Sequence, residues 1–272
     1  MFTTKRWPGR LVIGGIILGV LVAGAAVRGE WEALQLQAAA TAPPLGAVQS
    51  YAALGSTSVT NTGPTTVTGD LGVSLNPTIT GFFGTTLNDG PGVVNGAIHQ
   101  ADAAALAART AQIAAYNNAR NQTTDFALPP ELGGQTLTPG VYRSPIFTLT
   151  TGTVTLNGGP TDVWVINADA TLATSAGTSV VLTGGAQPCN VYWTAGGSAT
   201  LGANSTFKGT LITNLSITAG AAANVEGRLL AGIQPAVLAP LTLNTNTIKL
   251  PCATPAPTAT ATATATAAEV SA

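Results

Sequence analysis

Histidine, cysteine, methionine and charge are all scarce in this chain. One histidine, two cysteines and one methionine leave too few ligands for a multi-ligand zinc, haem or iron–sulfur site, so no cofactor or metal is expected. Only 8% of the 272 residues are charged, against about 25% in an average soluble protein. Ten basic and eleven acidic side chains give a net charge of −1, which offers no electrostatic footprint for nucleic acid. Between Asp70 and Glu226 there are eight acids, dispersed except for Asp162 and Asp169. A polysaccharide lyase or glycosidase needs clustered acids or a positioned base, so no enzymatic activity is expected. Threonine fills the space that charge leaves: 43 residues, more than twice the charged total. Hydroxyls keep this chain wet.

The two ends read differently from the middle. Lys5, Arg6 and Arg10 precede an uncharged run from Leu11 to Val27, with Trp7 and Trp31 on its flanks. Basic residues ahead of such a run direct the downstream chain out of the cytoplasm. Small-residue cleavage sites stand at Ala23-Gly24-Ala25 and Ala38-Ala39-Ala40, so residues 1–44 are either a signal peptide or a membrane anchor, with a linker. From Thr254 to Ala267 the chain is almost wholly Thr, Ala and Pro. That composition cannot bury a core, and residues 253–272 are expected to form a solvated tail. The expected location is secreted or at the cell surface. Cys189 and Cys252 are the only cysteines. An even count in an oxidising compartment favours a disulfide over two buried thiols.

Residues 45–252 read as many short strands separated by Gly, Asn and Pro. Ser198-Ala199-Thr200 recurs 18 residues later as Ser216-Ile217-Thr218, and Phe207-Lys208-Gly209 recurs at the same spacing as Val225-Glu226-Gly227. Upstream, Val154-x-Leu156 matches Val180-x-Leu182 at 26, and Asp169-Ala170-Thr171-Leu172 matches Ser198-Ala199-Thr200-Leu201 at 29. Eighteen residues make one coil of three strands and three corners, and stacked coils share a core that no single coil can close. Strand alternation then turns Ala170, Leu172, Ala199, Leu201 and Ile217 inward. Asp169, Thr171, Ser198, Thr200, Ser216 and Thr218 face outward in columns, with Thr242 added after a six-residue insertion. One stretch differs. Residues 98–119 lack Gly and Pro, and Ala101, Ala104, Ala108, Ala111 and Ala115 recur at helical spacing. They predict an alanine-faced helix with His99 in its first turn as a solvated or capping-region residue.

Several segments carry a family resemblance. They are Asn61-Thr62-Gly63-Pro64-Thr65-Thr66-Val67-Thr68-Gly69-Asp70-Leu71-Gly72, then Thr136-Leu137-Thr138-Pro139-Gly140-Val141-Tyr142, Asn190-Val191-Tyr192-Trp193, Gly197-Ser198-Ala199-Thr200-Leu201-Gly202 and Gly227-Arg228-Leu229-Leu230. Together they resemble the secreted ice-binding (antifreeze) protein family over residues 45–252. The resemblance implies a mostly β fold: a right-handed triangular β-solenoid with one long α-helix packed alongside. It also implies that the N-terminal segment completes the stack out of sequence order, and that a face free of the helix meets ice.

The implied partner is the surface of an ice crystal, met by a monomer, with a membrane as a further partner if residues 11–27 are uncleaved. The candidate ice-binding face is Thr171, Ser198, Thr200, Ser216, Thr218 and Thr242. The pairs Thr66/Thr68, Thr78/Thr80, Thr148/Thr150 and Thr153/Thr155 compete for the same role. The alternative is a non-enzymatic cell-surface adhesin or scaffold of the same fold without ice activity, because outward threonine suits any strand. A charge-free outer face would favour ice; a groove would not.

Overall fold

The computed structural model describes residues 39–234 and 239–252. Alternating small-polar and apolar residues give short parallel strands that wind as coils around one interior and form three faces. On the first face the strands run, in spatial order, Phe126–Ala127, Gly140–Ser144, Trp164–Ala168, Val191–Ala195, the second halves of Thr206–Thr213 and Asn224–Leu230, then Tyr51–Gly55, Asp70–Val73 and Ile98–Gln100. The second face runs Phe147–Leu149, Leu172–Thr174, Ala199–Leu201, Ile217–Ala219, Leu241–Asn244, Val59–Thr62 and Ile79–Thr80. The third contains Thr136–Leu137, Thr153–Asn157, Ser179–Thr183, the first halves of Thr206–Thr213 and Asn224–Leu230, then Thr247–Lys249, Thr66–Thr68 and Val93–Asn95.

The order in space is not the order in sequence. Leu241–Asn244 lies between Ile217–Ala219 on one side and Val59–Thr62 on the other, so the N-terminal coils stack on the C-terminal one. The chain then returns along the first face as a helix to begin the opposite end of the stack. The solenoid, its helix and this displaced N-terminal segment all match the family expectation.

Every coil feeds the same interior. Trp164, Trp193, Phe147, Phe207, Leu201, Ile217, Leu229 and Leu241 are fully or almost fully buried there. Truncating one such side chain to alanine costs about 2–5 kcal/mol. Two strands, Thr206–Thr213 and Asn224–Leu230, turn a corner without breaking, and glycine makes this possible. Gly209 has φ +111, and a Cβ at Gly227 would collide with the Gly209 carbonyl oxygen.

The helix runs Ala103–Asn121, later than the alanine spacing predicts. Residues 98–100 are instead a strand paired with Leu71, Gly72 and Val73, because the last coil needs a partner there. His99 is therefore on that strand, not in a helical turn. Its Nδ1 is 2.7 Å from Asp102 Oδ2, while Asp102 Oδ1 accepts the Ala105 N–H and caps the helix. The buried stripe is Ala105, Ala108, Gln112, Ala115 and Ala119 with Arg109 and Tyr116; Ala104 is exposed. Small side chains let the helix lie close to Val48, Leu54, Ile212 and Leu230, and to Val141, Val165 and Tyr192. Arg109 fixes one part of it by donating to the Gly232 and Ile233 carbonyls at 2.6 and 2.8 Å. Arg120 fixes its C-terminal end through the Ala168 carbonyl and Asp169.

Cys189 and Cys252 form the expected disulfide, with Cα atoms 5.7 Å apart. Residues 1–38 and 253–272, on which the expected export segment and the expected solvated Thr/Ala/Pro tail fall, lie outside the described residues. Thr41 already belongs to the packed body: its N–H donates to Gln122 Oε1 and its carbonyl accepts from Gln122 Nε2.

Candidate functional site

The second face bears the candidate residues, and its register defines two outward columns. Phe147, Leu172, Ala199, Ile217, Leu241, Val59 and Ile79 pair in sequence across the sheet and point inward. The residues immediately after them form the outward column Thr148, Ala173, Thr200, Thr218, Thr242, Thr60 and Thr80. Six of the seven are threonine. The residues that precede the inward set form a parallel column of Ile146, Thr171, Ser198, Ser216, Pro240, Ser58 and Thr78, registered by backbone hydrogen bonds such as Leu172 N–H to Ser198 O and Ala199 N–H to Ser216 O.

All six sequence candidates lie on this face, with one change of register. Thr171 stands beside Ser198 and not opposite Thr200, because Leu172 pairs with Ala199 and Ala173 with Thr200. The true offset is therefore 27 residues and not 29. The triplet Ala-Thr-Leu occurs at both 170–172 and 199–201, and its coincidence misaligns the coils by two. An even slip preserves which face a side chain takes, so Thr171 stays outward. Ala170, expected inside, is exposed. Asp169 joins no column; it accepts from Arg120 and Arg143 at 2.8 Å each.

Four threonines of these two columns were not among the six candidates. Thr78, Thr80 and Thr148 sit in T-x-T pairs, and the structure assigns those pairs here while placing Thr66/Thr68 and Thr153/Thr155 on the third face. Thr60 belongs to Ser58-Val59-Thr60, the same Ser-apolar-Thr pattern as Ser198-Ala199-Thr200 and Ser216-Ile217-Thr218. That pattern was a usable signal. Spacing concealed it, because its coil pairs with a partner far along the chain.

Parallel strands about 4.8 Å apart, with alternate residues about 6.6 Å apart along each, make the two columns a grid roughly 29 Å long over seven strands. No charged residue occurs in either column. The nearest carboxylate is Glu131 at one end, where its Oε2 accepts from the Thr148 hydroxyl at 3.0 Å. Burial pushes the Glu131 carboxyl up, but N–H groups of Thr150 and Gly133 outweigh this and hold it below the usual range. Ser198 and Ser216 hydrogen-bond each other at 2.9 Å, so part of their column is satisfied internally. Among the described residues, the hydroxyls of Thr60, Thr200, Thr218 and Thr242 have no protein partner and face solvent. β-Branching fixes their χ1, so the grid holds its positions with little entropy left to lose.

The other faces differ. The helix covers the first. The third carries a row of Lys208, Glu226 and Lys249, with both lysines paired to the carboxylate. Burial raises the Glu226 carboxyl, and the two ammonium groups more than reverse that. Among the described residues no three His, Cys, Asp or Glu side chains are grouped to hold a metal.

Comparison with known proteins agrees with this geometry. A family model described as Ice-binding-like matches residues 53–249. An ice-binding protein of Nostoc sp. (strain HG1) is 36% identical over 220 residues, covering 79% of this chain and 77% of that protein. One from Flavobacterium frigoris (strain PS1) is 33% identical and covers 76% of each. The crystal structure of an ice-binding protein from an Antarctic biological consortium superposes with a TM-score of 0.72 at 36% identity, over 79% of this chain and 94% of that one. A structure of an Arctic yeast ice-binding protein, described for its antifreeze activity, gives 0.69 at 27% identity over 78% and 95%.

Proposed function

The chain belongs to the ice-binding-like family, and from that premise we propose that it adsorbs to ice through the threonine face and inhibits ice growth and recrystallisation. The observation that carries this is the column Thr148, Ala173, Thr200, Thr218, Thr242, Thr60 and Thr80. It is stacked in register on the face that, among the described residues, is neither helix-covered nor charged. Ice presents a repeating lattice of water oxygens and no charge to pair. A threonine methyl excludes bulk water while its hydroxyl holds one water in a fixed position. Each contact is weak, and a rigid grid of many adds them with little ordering cost. The adsorbed protein pins the ice front, which then grows between bound molecules as a curved, less stable surface. No bond is made or broken, so the activity is not enzymatic, and a single domain suffices. The site of action is outside the cytoplasm, as the export segment implies.

The face is tested with purified residues 39–252 by measuring the freezing–melting gap and recrystallisation inhibition. Thr200→Tyr and Thr218→Tyr are expected to abolish most of both, while Thr247→Tyr on the third face leaves them intact. A folded, inactive parent domain would instead support a surface scaffold of the same fold. Equal losses from all three variants would deny the face its role.

A further inference from the structure

One junction on the threonine face has no covalent guide. Its other neighbouring strands are each joined by a single coil of chain. Val59–Thr62 instead pairs with Leu241–Asn244, and Thr57 and Ala239, just ahead of these strands, are 182 residues apart. The outward side chains do not choose the register there. Ser58, Thr60 and Thr62 all carry hydroxyls, so a slip of two residues keeps every face and still sets a hydroxyl beside Thr242. That slip would nevertheless move Thr60, with Thr80 behind it, by about 6.6 Å against Thr218 and Thr242. The grid would be cut in two.

Two threonine hydroxyls bracket the strand at this junction. Before it, Thr57 Oγ1 accepts the Ala239 N–H at 3.2 Å. After it, Thr65 Oγ1 accepts the Asn246 N–H at 2.9 Å and donates to Asn61 Oδ1 at 2.6 Å. Asn61 thus takes the hydroxyl proton and leaves an oxygen lone pair for Asn246. Its own amide is held by the Gly63 and Gly81 carbonyls at 2.9 and 2.7 Å. Thr65, Asn246 and Ala239 are all buried. A slip of two brings Gly63 or Val67 to the place of Thr65, and Gly55 or Val59 to the place of Thr57. None of those side chains can accept a hydrogen bond, and a buried N–H left without an acceptor is costly. We propose that Thr57 and Thr65 are positioning residues: they fix the register of the N-terminal coils on the C-terminal one and align Thr60 and Thr80 with Thr218 and Thr242 as a single ice-binding grid. This rests on the ice-binding reading of the threonine face.

The test compares two variants of the full chain: T57V/T65V removes both acceptors, and T57S/T65S keeps them. Cysteine pairs added to each read the register. T60C and T242C stand directly opposite, within the Cα spacing of about 4.4–6.8 Å that a disulfide spans. T62C and T242C are about 8 Å apart and bridge only after a slip. Without added cysteines, the valine variant should lose the freezing–melting gap several-fold at temperatures far below its melting midpoint. With them, it should form the T62C–T242C bridge. The serine variant should keep the gap and bridge only T60C to T242C. Val67→Ala, which thins the core two residues beyond Thr65, lowers the midpoint without touching either hydroxyl and should leave the gap intact. If the valine variant does not fold, Thr65→Val alone carries the same readings. A valine variant with full activity and only the T60C–T242C bridge would overturn the proposal, as would an equal loss of activity from Val67→Ala. An unsubstituted chain that is inactive on ice, with the native bridge still forming, would instead remove the reading of the face, and the proposal with it.

Discussion

Replacing Cys189 and Cys252 together by serine isolates what the disulfide contributes. The bond spans 63 residues of sequence. In the chain-entropy treatment, closing a loop of that length removes about 14 cal/mol/K from the unfolded chain, or about 4 kcal/mol at 25 °C. The native side of the balance changes little. Thr247–Lys249, just before Cys252, is already paired with Asn224–Glu226 on one side and Thr66–Thr68 on the other. For a domain of about 210 residues the entropy of unfolding is about 0.45 kcal/mol/K, so the melting midpoint should fall by about 10 °C. Calorimetry of the double variant, and of the native chain with and without reductant, measures it. Ice activity near the freezing point should be unchanged, because no grid residue contacts the bond. A fall of less than about 3 °C would refute the entropic reasoning. Unchanged stability with lost activity would show that the bond shapes the face.

Three further outcomes are expected from the same structure. Ala173→Thr makes the column from Thr148 to Thr80 threonine throughout and should widen the freezing–melting gap; no change would confine the working patch to the run from Thr200 to Thr80. Gly227→Ala places a Cβ against the Gly209 carbonyl and should cost about 3 kcal/mol or more, read as a lower midpoint in urea; a cost under about 1 kcal/mol would mean the corner is free to open. The Asp169 and Glu226 carboxyls, raised by burial but lowered further by Arg143 and Arg120 and by Lys208 and Lys249, have folded-state values below their ordinary 3.8 and 4.5. Their stabilisation is complete above those values and lost as pH falls through the depressed ones, so melting temperature should drop on acidification below about pH 4. Ice activity of the folded protein should stay flat from about pH 5 to 9, and a slope in that range would implicate a titrating group that the grid lacks.

How much of this was legible in the sequence depended on local repetition. The 18-residue spacing of Ser198 with Ser216 and of Phe207 with Val225 is the pairing found, because those coils succeed one another without insertion. The match at 29 failed on a chance triplet, yet the face assignment survived it, since strand parity tolerates a slip of two. Thr60 escaped because no spacing links it to Thr242, its partner across the sheet, and Thr80 was reached only as part of one of four competing T-x-T pairs. The helix start was misplaced because residues 98–100 lack helix breakers, and only the unpaired edge of Leu71–Val73 turns them into a strand. A stretch without breakers permits a helix; it does not require one.

The displaced coils also set the order in which the molecule can form. Residues 51–80 leave the ribosome long before the strand they must pair with. The Ala239 N–H reaches Thr57 Oγ1 across 182 residues of chain. Contacts of such separation are made late and slowly. Until then the first coils and the growing C-terminal coils each present an open strand edge, the usual template for misassociation. Folding cannot proceed from one end as synthesis does. The final coil arrives last and is received between two halves already made, so translation that stops short of residue 241 leaves a split stack with two sticky ends. The sparing use of charge that suits the finished surface gives those intermediates little electrostatic protection, and places the burden of keeping them apart on the speed with which the last coil is added.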